Sequence, residues 1–221
     1  MLTPLRIFFS EEPKVNNNFD HISNIVGKLK SINYVQPGEV PGIDLYMDQV
    51  TSFLDEHLET SKRYSDDKLL TKTMINNYTK NDLLPSPEKK KYTKEHMYLL
   101  LFVYYLKNIL SISDTRSILH PLTEKFFKGD EDVNFEKIYA EIFKIEQEQS
   151  FDVTRDVVHK YRKSRKSFEN LENGEDKELL QMFSFISMLS FDVYMKKHMI
   201  GKMIDDYFSK FDKSEDKDSD K

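Results

Sequence analysis

The chain contains no cysteine and no tryptophan, and only six glycines and seven prolines among 221 residues. Without cysteine there is no disulfide framework, no thiolate metal site and no cysteine nucleophile. So little glycine and proline disfavours a turn-rich all-β architecture. The glycines, at 27, 38, 42, 129, 174 and 201, never cluster, which leaves no phosphate-cradling loop. Neither a Gly-x-Ser-x-Gly elbow nor a His-Glu-x-x-His frame occurs. The histidines are scattered. His120 and Glu124 stand four apart with Pro121 between them, a spacing better suited to a structural role than to metal binding. No catalytic, cofactor-binding or metal-ligating set emerges, so the expectation is a non-enzymatic protein without a cofactor. The longest apolar run, Met97 to Leu106, is about half the ~20 residues that a bilayer span needs. The N-terminal stretch Met1 to Phe9 has no apolar signal core and no cleavage site, so a soluble cytoplasmic protein with no membrane partner is expected.

What the chain does contain is aromatic and charged. Sixteen Phe and twelve Tyr argue against wholesale disorder, and the length is sufficient to bury a core without staples. The net charge of −5 rules out a globally basic nucleic-acid binder but not a local basic patch.

The pattern along the chain is mainly helical. Residues 1–43 read as an N-terminal arm with one helix, Phe19 to Leu29, closed by Pro37, Gly38, Pro41 and Gly42. Residues 44–120 read as the first domain. An amphipathic helix, Asp44 to Leu58, would be capped by Asp44 and followed by a polar loop over 59–68. A shorter helix, Leu69 to Asn81, stops before Leu83-Leu84-Pro85-Ser86-Pro87, because proline cannot continue it. After the charged connector Glu88 to Tyr92, Thr93 caps a helix from Lys94 to Leu110. That helix is apolar nearly all round and therefore central. Ser113 is expected to cap a short helix, Asp114 to Leu119, with its exit at Pro121. Residues 121–210 read as a helical domain, with helices over Phe135 to Ile145, Val153 to Phe168 and Lys177 to Lys210. The tail 211–221, which from Asp212 onward holds only Asp, Glu, Lys and Ser, is expected to be disordered.

Residues 72–119 carry the most specific signal. Met74-Ile75-Asn76-Asn77-Tyr78 is followed by Leu83-Leu84-Pro85, then Lys91-Tyr92-Thr93 with Glu95, then Leu110-Ser111-Ile112-Ser113-Asp114. This succession resembles the DNA-binding head of MerR-type regulators, a winged helix-turn-helix. The family has Thr-Ile-Arg-Tyr-Tyr in its recognition helix, Leu-Leu-Pro after it, Arg-Tyr-Ser at the wing exit and a Phe-Ser-Leu element. Its recognition-helix Arg is Asn76 here, and the Gly after that helix is Asp82. The chain is also similar to an uncharacterised bacterial family described only as a domain of unknown function, whose core would cover roughly residues 42–145.

The MerR resemblance implies a mainly α fold: a winged helix-turn-helix head with a C-terminal helical bundle able to dimerise. It also implies double-stranded DNA as partner. A recognition helix must turn polar side chains toward base edges, and Lys72, Thr73, Asn76, Asn77 and Lys80 are of that kind. Asparagine can bond adenine at two atoms, while Lys and Thr suit phosphates. Lys89, Lys90 and Lys91, with Tyr92, would form the wing. Residues 59–110 hold ten basic and six acidic side chains, so a segment of +4 sits on a remainder of −9.

Two further features have two readings each. Leu179, Ile186, Val193, Ile200 and Tyr207 recur every seven residues, with Met182, Leu189, Lys196 and Met203 as a companion row. They fit either a homodimer seam within 177–210 or a core helix folded back on the N-terminal helix. The basic run His159 to Lys166 fits phosphate contact or, more simply, a solvated helix face. The alternative to DNA binding is a helical protein-interaction module of winged-helix shape, which Asn76 and Asp82 favour.

Overall fold

A computed structural model describes residues 35–129 and 132–212, together with the isolated positions 24 and 27. The expected helix at 19–29 and the tail beyond 212 therefore lie outside the described residues. Strand β1 (Leu45–Tyr46) leads into helix α1 (Met47–His57), and a polar loop then reaches α2 (Lys72–Lys80). A tight hairpin carries β2 (Lys91–Tyr92) back antiparallel to β1, with Leu45 opposite Tyr92 and Tyr46 opposite Lys91. Helices α3 (Lys94–Lys107), α4 (Ile112–Phe126), α5 (Phe135–Ser164) and α6 (Glu175–Met203) follow. A π-helical turn (Ile204–Phe208) and a last helical turn (Ser209–Asp212) close the described chain. The molecule is mainly helical, with this one two-stranded sheet among the described residues.

Helix α3 is the hub. Every residue from His96 to Tyr104 is buried. That follows from a sequence with no polar stripe to offer to water. Around it pack α4, α5 and β2, and a continuous apolar core runs from Val35 to Phe143. Polar groups fasten the periphery to it. The Tyr98 hydroxyl donates to the Pro37 carbonyl and the Tyr139 hydroxyl to that of Val35, each at 2.7 Å. Burial pushes both phenols above their ordinary range. The Lys107 ammonium donates to the Leu69 carbonyl at 2.6 Å, and Ser61 meets the Tyr104 hydroxyl at 2.5 Å. The long loop between α1 and α2 is thus tied down by α3, with Leu69 and Leu70 buried beneath it.

The outer half of α5 and the facing part of α6 form a second, smaller unit. Tyr161 and Phe185 make its core, flanked by Val157, Met182 and Leu189. Lys160 joins the two helices through ion pairs to Asp156 and Asp192. Buried Gln181 donates to the Arg165 and Ser167 carbonyls at 2.8 and 3.1 Å, fixing the turn between them. Residues 204–212 then return to α4.

Several expected boundaries move. Helix α1 starts at Met47 rather than Asp44, because Leu45 and Tyr46 are drawn into strand pairing. Helix α3 stops at Lys107 rather than Leu110, where the Asn108 amide takes the Tyr104 carbonyl at 3.0 Å. Ser111, not Ser113, caps α4, its hydroxyl accepting from the Asp114 N–H at 3.0 Å. Pro121 does not end that helix. It lies inside α4 and is buried, so apolar packing offsets the lost backbone donor. The boundary expected between 120 and 121 therefore falls within a helix. Residues 135–164 form one helix rather than two, since nothing between Ile145 and Val153 breaks it. Phe211 and Asp212, assigned to the tail, belong to the last helical turn.

Candidate nucleic-acid interface

Helix α2 is short and two-faced. Thr71 caps it, its hydroxyl accepting from the Met74 N–H at 3.2 Å. Ile75 and Tyr78 are buried and Met74 is half-buried, which anchors the inner face. Lys72, Thr73, Asn76, Asn77 and Lys80 are all exposed on the other side. The split follows directly from spacing, since residues three and four apart share a face.

The exit from α2 is a Schellman turn. The Leu83 N–H donates to the Tyr78 carbonyl at 2.9 Å and the Asp82 N–H to that of Thr79 at 3.4 Å. Such a turn needs a left-handed residue, and Asp82 supplies it with φ 54°. Leu83 and Leu84 are then buried and fix the direction of the chain.

The hairpin beyond them is built under backbone strain. Glu88 bridges to Lys91, whose N–H donates to the Glu88 carbonyl at 2.9 Å. Lys89 and Lys90 form the two-residue tip, with φ 49° and 65°. Asn-Gly is the favoured pair in such a tip, and two lysines there are costly. Both are exposed, and neither makes an ion pair with a described residue. Lys91 is half-buried, its ammonium 5.5 Å from the centre of the Tyr46 ring.

Other expected site residues are placed differently. Lys72 is exposed but forms an ion pair with Asp48 of α1. Tyr92 departs furthest from expectation. It is only 3% exposed, and its ring stands edge-on to His96. It lies beneath a shallow open groove between α2 and the hairpin, which Asn76, Thr79, Lys80, Ser86 and Pro87 also line. Tyr92 therefore supports the groove from the core and is not part of its rim. The basic run 159–166 covers the last residues of α5 and the turn after it, with Lys160 committed to Asp156 and Asp192 and Tyr161 and Ser164 buried.

Sequence reasoning missed His96. Its Nδ1 accepts from the Thr93 N–H at 3.0 Å, closing a capping box at the start of α3. Burial lowers its pKa, while the backbone of Pro85 and Ser86 partly offsets that. The imidazole is thus a neutral wedge between α3 and the chain leading into the hairpin. The signal was present as Thr-x-x-His, the spacing of a capping box with His in place of Glu or Gln. Among the described residues no three His, Asp or Glu side chains converge on a metal-sized site, and no helix is long and apolar enough to cross a membrane.

The apolar core that begins at Val35 and ends at Phe143 marks out one structural unit. Residues 35–143 match the family model described as Domain of unknown function (DUF1836). The matched segment starts earlier than the expected 42: Val35 and Val40 are core residues, and the carbonyls of Val35 and Pro37 are held by α5 and α3. It contains β1, the hairpin, α1 to α4 and the first turns of α5. No curated protein and no solved structure matches the chain.

Proposed function

We propose that this chain is a DNA-binding transcriptional regulator that uses α2 as a recognition helix and the Lys89–Lys90 hairpin as a wing, in the manner of a MerR-like winged helix-turn-helix. The observation that carries this reading is the shared exposure of one polar helix face and one lysine-tipped turn across an open groove. Asn76 and Asn77 would read base edges. Thr73 and Lys80 would position the duplex through phosphates, with Lys72 joining them once it leaves Asp48. The strained hairpin tip supports the same reading. A tip made for stability alone would carry Asn-Gly, so lysines kept at positive φ point to a use for their charge. The chain order of β1, α1, α2, hairpin and α3, with β1 paired to β2, suits a winged helix.

A homodimer through residues 177–210 belongs to this proposal. Leu179, Ile186, Val193 and Tyr207 of the seven-residue repeat are exposed, Leu179 by 69%. The companion residues Met182 and Leu189 are turned toward α5. Lys196 and Met203 of the companion row are exposed and Ile200 of the repeat is half-buried, so the seam would rest on Leu179, Ile186, Val193 and Tyr207, which no described element covers.

Retardation of random and genomic duplex fragments over a salt series tests the DNA reading. Binding at low salt should weaken steeply as salt rises, because phosphate contacts release counterions. Exchanging Lys89, Lys90 and Lys91 for Glu should abolish retention and leave the fold intact. Folded protein that retards no fragment at low salt overturns the proposal. The reading then favoured is a protein-interaction module, to which Asn76, Asp82 and the exposed face of α6 are suited.

A further inference from the structure

Between α3, α4 and α5, away from the α2 groove, lies a cavity of about 200 Å³. Phe102 and Leu106 of α3, Ile118 and Leu122 of α4 and Phe143 of α5 make its walls apolar. Among the lining residues one carboxylate stands out, Glu146 of α5. It is half-buried and makes no hydrogen bond or ion pair with any described residue. Burial pushes its carboxyl above the ordinary carboxylate value.

This combination is hard to explain by packing alone. A half-buried carboxylate at the edge of apolar walls, without a partner among the described residues, loses part of its hydration uncompensated, and Gln or Leu at position 146 would avoid the cost. The size is also informative. A dry cavity of ~150 Å³ holds benzene, so this one accommodates a single ring with a short chain, or an alkyl chain of about six to eight carbons. The walls would take the hydrocarbon, and the acid would take a positive head group.

We propose that this cavity is a binding site for a small apolar amine, its ammonium paired with Glu146 and its hydrocarbon packed between Phe102, Leu106, Ile118 and Leu122. The site uses none of the α2 or hairpin residues, so it stands apart from the DNA-binding reading.

The test is calorimetric titration of the full chain with phenethylamine and hexylamine, set against phenylethanol, hexanol and hexanoate. One saturable site is expected for the amines, with affinity at least about tenfold above that of the alcohols, and none for hexanoate. Glu146→Gln should lower amine affinity about tenfold and leave alcohol affinity unchanged. Leu122→Phe, which fills the cavity, should remove both. If that variant does not fold, ligand-induced NMR shifts of the Ile118 and Leu122 methyl groups in the wild type locate the site instead. Equal affinity for amines and alcohols overturns the proposal. So does an unchanged amine affinity in Glu146→Gln, the absence of saturable binding up to millimolar ligand, or methyl shifts confined to other regions.

Discussion

Helices α3 and α6 are both rich in large apolar side chains, yet they end in opposite environments. Helix α3 buries every residue from His96 to Tyr104, whereas α6 buries only Gln181 and Phe185. Phe183, Val193 and Tyr194 of α6 are each at least 60% exposed. The contrast shows that apolar content fixes how much surface a helix must cover, and not what covers it. For α3 the cover comes from its own chain, through β2, α4 and α5. For α6 the chain supplies α5 on one side, and the other side is unmatched by any described element.

Core deletion is the strongest way to sharpen this contrast. Leu100→Ala should cost about 2–5 kcal/mol in urea denaturation, because it leaves a cavity in a fully buried position. Val193→Ala should change the stability of a monomer by less than about 0.5 kcal/mol, since it touches little. A loss at Val193 as large as that at Leu100, independent of protein concentration, would break the contrast.

Charge on the exposed row asks the question at the level of assembly. Ile186→Glu with Val193→Glu should shift the sedimenting species from dimer to monomer and leave helical content intact. A wild-type chain that sediments as a monomer at every concentration would remove the homodimer from the proposal.

Mild acid should act on the α3 side through His96. Burial holds His96 below its ordinary value of about 6.5, so the unfolded chain takes up that proton first as pH falls. The contribution is complete above about pH 6.5 and is lost as pH drops through the folded-state value. The urea midpoint should therefore fall between pH 7.5 and pH 5.5, and His96→Gln, which keeps the capping box, should flatten that dependence. An identical slope in the variant would place the acid sensitivity elsewhere.

The smallest effect expected is at the end of α2. Asp82→Gly should raise stability by about 0.5–1 kcal/mol, because glycine adopts the left-handed conformation without penalty. It also removes a carboxylate beside the candidate interface, so DNA retention should strengthen. A fall in stability would show that the Asp82 side chain contributes more than its backbone strain costs.

How much of this was legible beforehand differs by element. The two faces of α2 could be read from Ile75 and Tyr78 against Asn76, Asn77 and Lys80, since helical spacing alone separates them. The central place of α3 followed from its lack of a polar stripe. Pro121 misled, because a proline is a helix breaker only where nothing rewards its burial. The gap left between the expected helices ending at Ile145 and starting at Val153 holds no glycine or proline, and one helix runs through it. His96 had a local signal only for its capping role; its burial and that of Tyr92 were opaque for a different reason. Their burial comes from the meeting of β2, α3 and the Pro85–Ser86 chain, which no local pattern encodes.

The sequence by itself determined that the protein is mainly helical, that α3 lies at its centre, and that one short helix turns a polar face outward. These follow from the periodicity of side chains along a single element. The tertiary structure alone decided that β1 pairs with β2 and thereby buries Tyr92. It also brought Glu146 to an apolar cavity and left Leu179, Ile186 and Val193 of α6 uncovered by any described element. Each of those depends on the distance between segments far apart in the chain, and side-chain chemistry read in order carries no measure of that distance.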